Sequence, residues 1–306
     1  MSEQDSATLP RAVTVNRGAR PRAHRGTLLA GLGVLAFSFS FPATAWALEG
    51  FGPWTVTGLR GVLAAVLAGT CLAVNRVRLP DRRHWAGILT VAVGCVVGFP
   101  LLTTLALRTS STAHSAVVIG LLPLATATAS VVLTGVRPSR LFWWGAVAGA
   151  VAVVAFALEQ SHGRPTVADA FLLGALLLCA AGYAEGGRLS RHMPGWQVIA
   201  WGVVAALPAT ALTLLVAVPS EPVHITAKAV TGMLYVAAVS QFAGFVVWYR
   251  GMALAGVARA SQLQLAQPLV SLLWSALLVG ERVPPVAPIA AAAVVLCILT
   301  TQRARE

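Results

Sequence analysis

The stretch from Gly87 to Arg140 returns later in the chain at a constant offset of 145 residues. Gly87, Ala113, Pro123, Ser130, Gly135 and Arg137 stand where Gly232, Ala258, Pro268, Ser275, Gly280 and Arg282 stand in the second copy. The matched proline, glycines and arginine carry the weight, because Ala, Val and Leu coincide by chance in a chain this apolar. Five apolar runs separate each position from its counterpart, and an odd number of membrane crossings turns the second copy over.

That inversion presupposes a bilayer, and the composition requires one. Hydrophobic residues make up 57% of the 306 positions and charged residues 10%, with a mean hydropathy of +0.78. Too little polar surface remains to coat a soluble globule. Backbone groups in hydrocarbon must find internal partners, so apolar runs of about 20 residues read as helices. They fall at 27–47, 53–74, 85–106, 112–134, 141–158, 170–187, 196–217, 230–250, 260–279 and 284–301. The expected fold is an all-α integral membrane protein with ten transmembrane helices arranged as two inverted five-helix repeats. The first repeat spans 27–158 and the second 170–301, with a polar linker at 159–169. Residues 1–26 read as a disordered cytoplasmic tail and 302–306 as a second cytoplasmic tail.

The net charge of +12 would suit a nucleic-acid binder, but its distribution follows topology instead. With the N-terminus inside, seventeen of the 22 lysines and arginines fall on the cytoplasmic side, among them Arg76, Arg78, Arg82, Arg83, Arg188 and Arg191. Arg108, Arg164, Lys228 and Arg282 fall outside, and Arg60 lies within a span. This is the positive-inside pattern of a multi-pass plasma-membrane protein with both termini cytoplasmic. Nucleic acid is therefore not expected as a partner; a small-molecule substrate and the lipid bilayer are. Ala45-Trp46-Ala47 has the small-x-small form of a signal cleavage site, but the apolar run before it is as long as a full span, and Pro42 with Ser38 and Ser40 reads as a broken pore helix. Cys71, Cys95, Cys179 and Cys297 lie inside spans without metal-ligand spacing and read as packing residues. No metal or cofactor is expected, and no Gly-rich Lys-Ser/Thr loop for ATP is present.

The fourth and ninth spans carry the clearest polar signal. Thr126 and Ser130 occupy the places of Ser271 and Ser275, and in the ninth span the stripe continues back through Gln267 and Gln264. Hydroxyls and amides along one helical face suit a cavity, although interhelical hydrogen bonding gives the same pattern. Pro123 and Pro268 each remove a backbone donor and bend their helices near mid-membrane. Ser38 and Ser40 in the first span, Tyr183 in the sixth, and Ser240, Gln241 and Trp248 in the eighth complete the candidate substrate site with Arg60, whose charge suits a carboxylate. His114 and Glu185 are the candidates for proton coupling, with pairing to Arg188 as the structural alternative for Glu185.

These residues together resemble the EamA-type transporters of the drug/metabolite transporter superfamily, over nearly all of 27–301. The resemblance rests on ALRTSSTAHSAVVIGLLPL at 106–124, GVARASQLQLAQPLVSLLWSALLVGERV at 256–283, and GLRGVLAA at 58–65 around Arg60. It implies two inverted five-helix repeats around a central cavity, cytoplasmic termini, and movement of amino acids or related metabolites, often as export. Gly135-Val136-Arg137 departs from the family's Gly-Glu-Arg, which Gly280-Glu281-Arg282 keeps. The functional expectation is a secondary, non-ATP exporter of small amphipathic metabolites working by alternating access. A passive channel or facilitator, an intramembrane enzyme and a membrane scaffold are the alternatives.

Overall fold

The computed structural model describes residues 19–134, 139–160, 164–255 and 263–303, which are helical with short connections. Eight helices are long and apolar enough to cross a membrane: α1 (His24–Leu48), α2 (Pro53–Val74), α3 (Arg82–Ala106), α4 (Thr112–Leu133), α5 (Trp143–Gln160), α6 (Val167–Leu189), α7 (Gly195–Ala217) and α8 (Ala227–Leu254). Two shorter apolar helices follow, α9 (Gln267–Val279) and α10 (Val286–Leu299). The protein is a multi-pass membrane protein. Most of the N-terminal tail, Gly135-Val136-Arg137 and Arg259 lie outside the described residues.

Contacts between connections sort them onto two ends of the bundle. At one, the near face, His84 stacks on His192, and Asn75, Pro194 and Arg250 line one groove. At the other, the far face, the Gly50 carbonyl accepts from the His224 N–H, and Phe51 bridges to Val223. The start of α4 meets Glu281 and Asp169 there. Among the described connections, those at 75–81 and 190–194 therefore lie at the near face and those at 49–52 and 218–226 at the far face.

Helix pairing also relates the halves. The helices pack α1 on α8 and α3 on α6, and α2 on α7 and α5 on α10. Exchanging the first five helices for the last five maps this set of pairs onto itself. In lipid the hydrophobic effect does not hold helices together, so close approach through small residues must. Gly94 of α3 lies against the Leu178 carbonyl of α6, where an added Cβ would sit 2.4 Å from that oxygen. Gly251 of α8 is as close to the Ala30 nitrogen of α1, and Gly61 of α2 is equally close to Thr210 of α7. Large apolar side chains such as Val66, Val132, Trp144, Leu215 and Leu296 instead point outward, as lipid-facing positions do.

Two irregularities of the helices recur at about the same offset as the sequence. The α4 helix is interrupted at Gly120-Leu121, just before Pro123, and the start of α9 at Leu265-Ala266, just before Pro268. Each proline lacks the N–H that would continue the ladder. Likewise α3 is π-helical over Ala92–Gly98 and α8 over Tyr235–Ala243. These wide turns release carbonyls inside otherwise regular helices. One such carbonyl, on Cys95, accepts from Gln241 Nε2 at 3.3 Å, which joins the two wide turns.

Candidate transport cavity

The α1 helix breaks at Phe39, and Pro42 is the reason. Lacking an N–H, it leaves the Ser38 carbonyl without its helical partner, and Ser271 Oγ of α9 donates to that oxygen at 2.8 Å. Ser38 Oγ donates to the Leu35 carbonyl and accepts from the Trp274 indole at 2.9 Å. Ser38 and Ser271, both proposed from the sequence to contact substrate, are thus occupied with joining α1 to α9. Ser271 also lines a small void between the broken segments of α4 and α9, beside Pro123, Pro268, Gln264 and Gln267.

Beside this joint, α1, α2, α3, α4, α6, α8 and α9 enclose a central cavity of about 50 Å³. Its polar lining consists of Ser40, Thr44, Arg60, Thr103, Tyr183, Ser240, Gln241 and Gln267, and its apolar lining includes Phe37, Phe41, Phe99 and Phe245. Ser40 and Ser240 are hydrogen bonded at 2.7 Å across the two halves. The Arg60 guanidinium donates through Nη2 to Ser240 Oγ at 3.4 Å, while its buried Nε has no partner. Six of the sequence candidates, Ser40, Arg60, Tyr183, Ser240, Gln241 and Gln267, therefore meet in one cavity. Thr103 and Phe245 were not singled out from the sequence; in a chain this apolar, nothing local separates them from packing residues.

Thr126, Ser130, Trp248 and Gln264 lie elsewhere, in a vestibule of about 510 Å³ at the near face with Arg188 and Arg191. Tyr183 and Phe245 line both spaces and meet edge to face with ring centroids 6.0 Å apart, forming the partition between them. A vestibule of this size admits a metabolite, whereas the central cavity holds only a few waters.

Toward the far face the barrier is thicker. Phe39 packs edge to face on Trp46, Tyr235 and Trp274. Beyond them, carboxylates from one half cap helix starts of the other. Glu221 accepts from the Trp54 and Thr55 N–H groups of α2, and Glu281 accepts from those of Thr112 and Ala113 of α4, at 2.8 and 3.1 Å. Anions are stabilised at such termini by the exposed amides and the helix dipole. Thr112 and Ser275 share a 2.7 Å hydrogen bond, and Lys228 pairs with Glu49.

The two proton-coupling candidates sit on opposite faces. His114, 8% exposed, bonds Asp169 at 2.7 Å and stacks on Phe156. Asp169 simultaneously closes the capping box of α6 with Thr166. Its spacing from Thr166 was visible in the sequence, but its encounter with His114 was not. Glu185 is held by Arg188 through both Nε and Nη2, the local pairing that the sequence offered as the alternative.

Removing the Glu281 charge tests the far-face closure. Glu281→Gln is expected to weaken closure by about 1 kcal/mol, roughly a fivefold gain in the opened population. Thiol labelling of a Phe39→Cys variant from the far side measures it; an unchanged labelling rate would separate Glu281 from the closure.

Comparison with known proteins agrees with this architecture. The EamA-like transporter family model matches twice, over residues 24–158 and 166–301. A Bacillus subtilis (strain 168) protein named uncharacterized transporter YdeK is 42% identical over 272 residues, which cover 89% of this chain and 95% of that one. A crystal structure titled only as that of a protein superposes with a TM-score of 0.64 at 20% identity, covering 90% of this chain and 97% of the other, and speaks to the fold alone. Two family matches that together span almost the whole chain, with a relative this similar, place the protein in the EamA-like transporter family.

Proposed function

We propose that this membrane transporter is a secondary exporter of small amphipathic metabolites, amino acids among them, operating by alternating access. On this reading the ten helices cross the bilayer as two inverted repeats, in the plasma membrane, with both termini and the near face cytoplasmic. The single observation that carries it is the central cavity lined by three equivalent helix pairs of the two halves, α1 with α6, α3 with α8 and α4 with α9, and by Arg60 of α2, separated from a near-face vestibule by two rings and from the far face by a cross-half seal. A site shared by two inverted halves is reached from either side when they rock about it. The arginine-rich connections at 75–84 and 188–191 support a cytoplasmic near face.

In this arrangement cargo enters the vestibule, passes the Tyr183 and Phe245 rings, and settles between Ser40, Arg60, Ser240, Gln241 and Gln267. Hydroxyls and amides satisfy its polar end while Phe37, Phe41 and Phe99 cover its apolar part. Export follows when the far-face contacts part. His114 and Asp169, paired across the halves at that seal, supply the place where a proton enters the cycle.

Counterflow in proteoliposomes over a panel of amino acids and organic acids, with and without a pH gradient, tests the reading. Saturable flux is expected, and His114→Gln is expected to flatten its response to the gradient while leaving downhill flux. Unsaturable flux would mark a channel, chemical conversion of the solute an enzyme, and no flux a scaffold. Equal gradient responses of parent and variant would remove His114 from coupling.

A further inference from the structure

Arg60 is the one feature of the cavity that the hydroxyl and amide chemistry leaves unexplained. It lies on α2 with 4% of its surface exposed, and it faces the cavity. Among the described residues its only hydrogen bond is the long one to Ser240, and no carboxylate lies within ion-pair distance of it. A buried cation without a counter-charge is costly, and chains retain one where a charged partner arrives from outside. The approach matches: Arg191 lines the vestibule beside Arg188, whose charge Glu185 offsets, and neither the vestibule nor the cavity has an aspartate or glutamate among its described lining residues.

We infer that Arg60 docks a carboxylate of the cargo, and that the preferred cargo is an organic anion with an apolar body and no positive charge of its own. This rests on the transport reading above and sharpens it. An amino acid would meet Arg60 through the same carboxylate, but its ammonium group would find hydroxyls, amides and ring faces and no acid to pair with. The free acid with the same apolar body therefore ranks above the zwitterion. The guanidinium presents a planar fork to a carboxylate, which a lysine does not. The nearby Ser40 and Ser240 hydroxyls add donors on the same side, and Phe37, Phe41, Phe99 and Phe245 surround the apolar part.

The test uses the full chain in detergent and four solutes of one shape: 3-phenylpropanoate, L-phenylalanine, 3-phenylpropanamide and 3-phenylpropylamine. Binding is read by tryptophan fluorescence and by the thermal unfolding midpoint. The carboxylate is expected to bind about tenfold or more tightly than the amide, the difference a charge-assisted hydrogen bond makes. The zwitterion is expected to fall between them and the amine last. Arg60→Gln should erase the gap between carboxylate and amide while leaving amide binding, and Arg60→Lys should keep part of it.

Equal binding of carboxylate and amide by the parent, an amine that binds as well as the acid, or no saturable carboxylate binding would overturn the inference. So would an Arg60→Gln protein that keeps the preference. If Arg60→Gln does not fold, the parent's ranking and the Arg60→Lys protein decide. Saturable counterflow of a neutral or cationic solute that Arg60→Gln leaves unchanged would remove the anion site and keep the transporter. Selective carboxylate binding without any flux would do the reverse.

Discussion

Gly232→Val and Gly94→Val are each expected to lower the unfolding midpoint in detergent sharply, to the point where little folded protein is recovered. Valine's intrinsic helix propensity is somewhat better than glycine's, so local preference predicts no loss. The cost is tertiary. At Gly232 the new Cβ would lie 2.4 Å from the Ala43 carbonyl oxygen and 2.7 Å from the Ala47 nitrogen of α1, and at Gly94 it would meet the Leu178 carbonyl of α6 at 2.4 Å. Backbone atoms of a packed helix cannot rotate aside, so the helices must separate, at a cost of about 3 kcal/mol or more. Gly187, with nothing within 4 Å of its added Cβ, is the control and should tolerate valine. Comparable losses at all three positions would show that close helix contacts do not set the stability of the bundle.

Gln267→Leu carries the second large expectation, a drop of at least about tenfold in transport with little loss of stability. Gln267 lies at the start of α9, lining both the central cavity and the void beside Pro123 and Pro268. Leucine there removes an amide from the polar end of the cavity while keeping the side chain's volume, so polar cargo loses a partner and the helices keep their packing. Ser271→Leu differs in kind. It deletes the donor to the Ser38 carbonyl, leaves that buried oxygen unpaired, and inserts bulk at a position 2% exposed, so stability and transport should fall together. Leu277, at 65% exposure on the same helix, should tolerate alanine. Equal effects of Gln267→Leu and Leu277→Ala on counterflow, measured at matched reconstitution, would remove the polar face of α9 from the transport path.

Much of this was legible in the residues, for identifiable reasons. Apolar runs announce membrane helices because lipid leaves few alternatives, and prolines at equal offsets announce equivalent breaks because the missing N–H acts wherever the proline stands. Pro42 belongs to the same group: it marked α1 as broken, and the freed Ser38 carbonyl became the joint to α9. Arg60 stood out because a charge at depth demands a reason. The π-helical turns of α3 and α8 had no such signal, since a change of helical register follows from how neighbours pack and not from any residue type within it. Glu221 and Asp169 were missed for a related reason. A carboxylate in a connection looks solvated until the helix start or histidine it meets is known, and both partners lie far away in sequence, Glu221 capping Trp54 and Thr55, and Asp169 facing His114. The bond that Ser38 accepts from Trp274 was hidden in the same way, because that indole lies on a helix far away in sequence.

In the proposed cycle the two halves part at the far face, and the bridge between Phe51 and Val223 gives a direct handle on that opening. Directly opposed antiparallel residues have Cβ atoms about 4.5–5.5 Å apart, close enough for a disulfide with slight adjustment. In a Phe51→Cys/Val223→Cys protein with cysteine-free flanks, oxidation is predicted to stop counterflow and reductant to restore it, with binding from the near side preserved throughout. Full transport by the cross-linked protein would contradict the account, because a seal that never opens cannot belong to an alternating path.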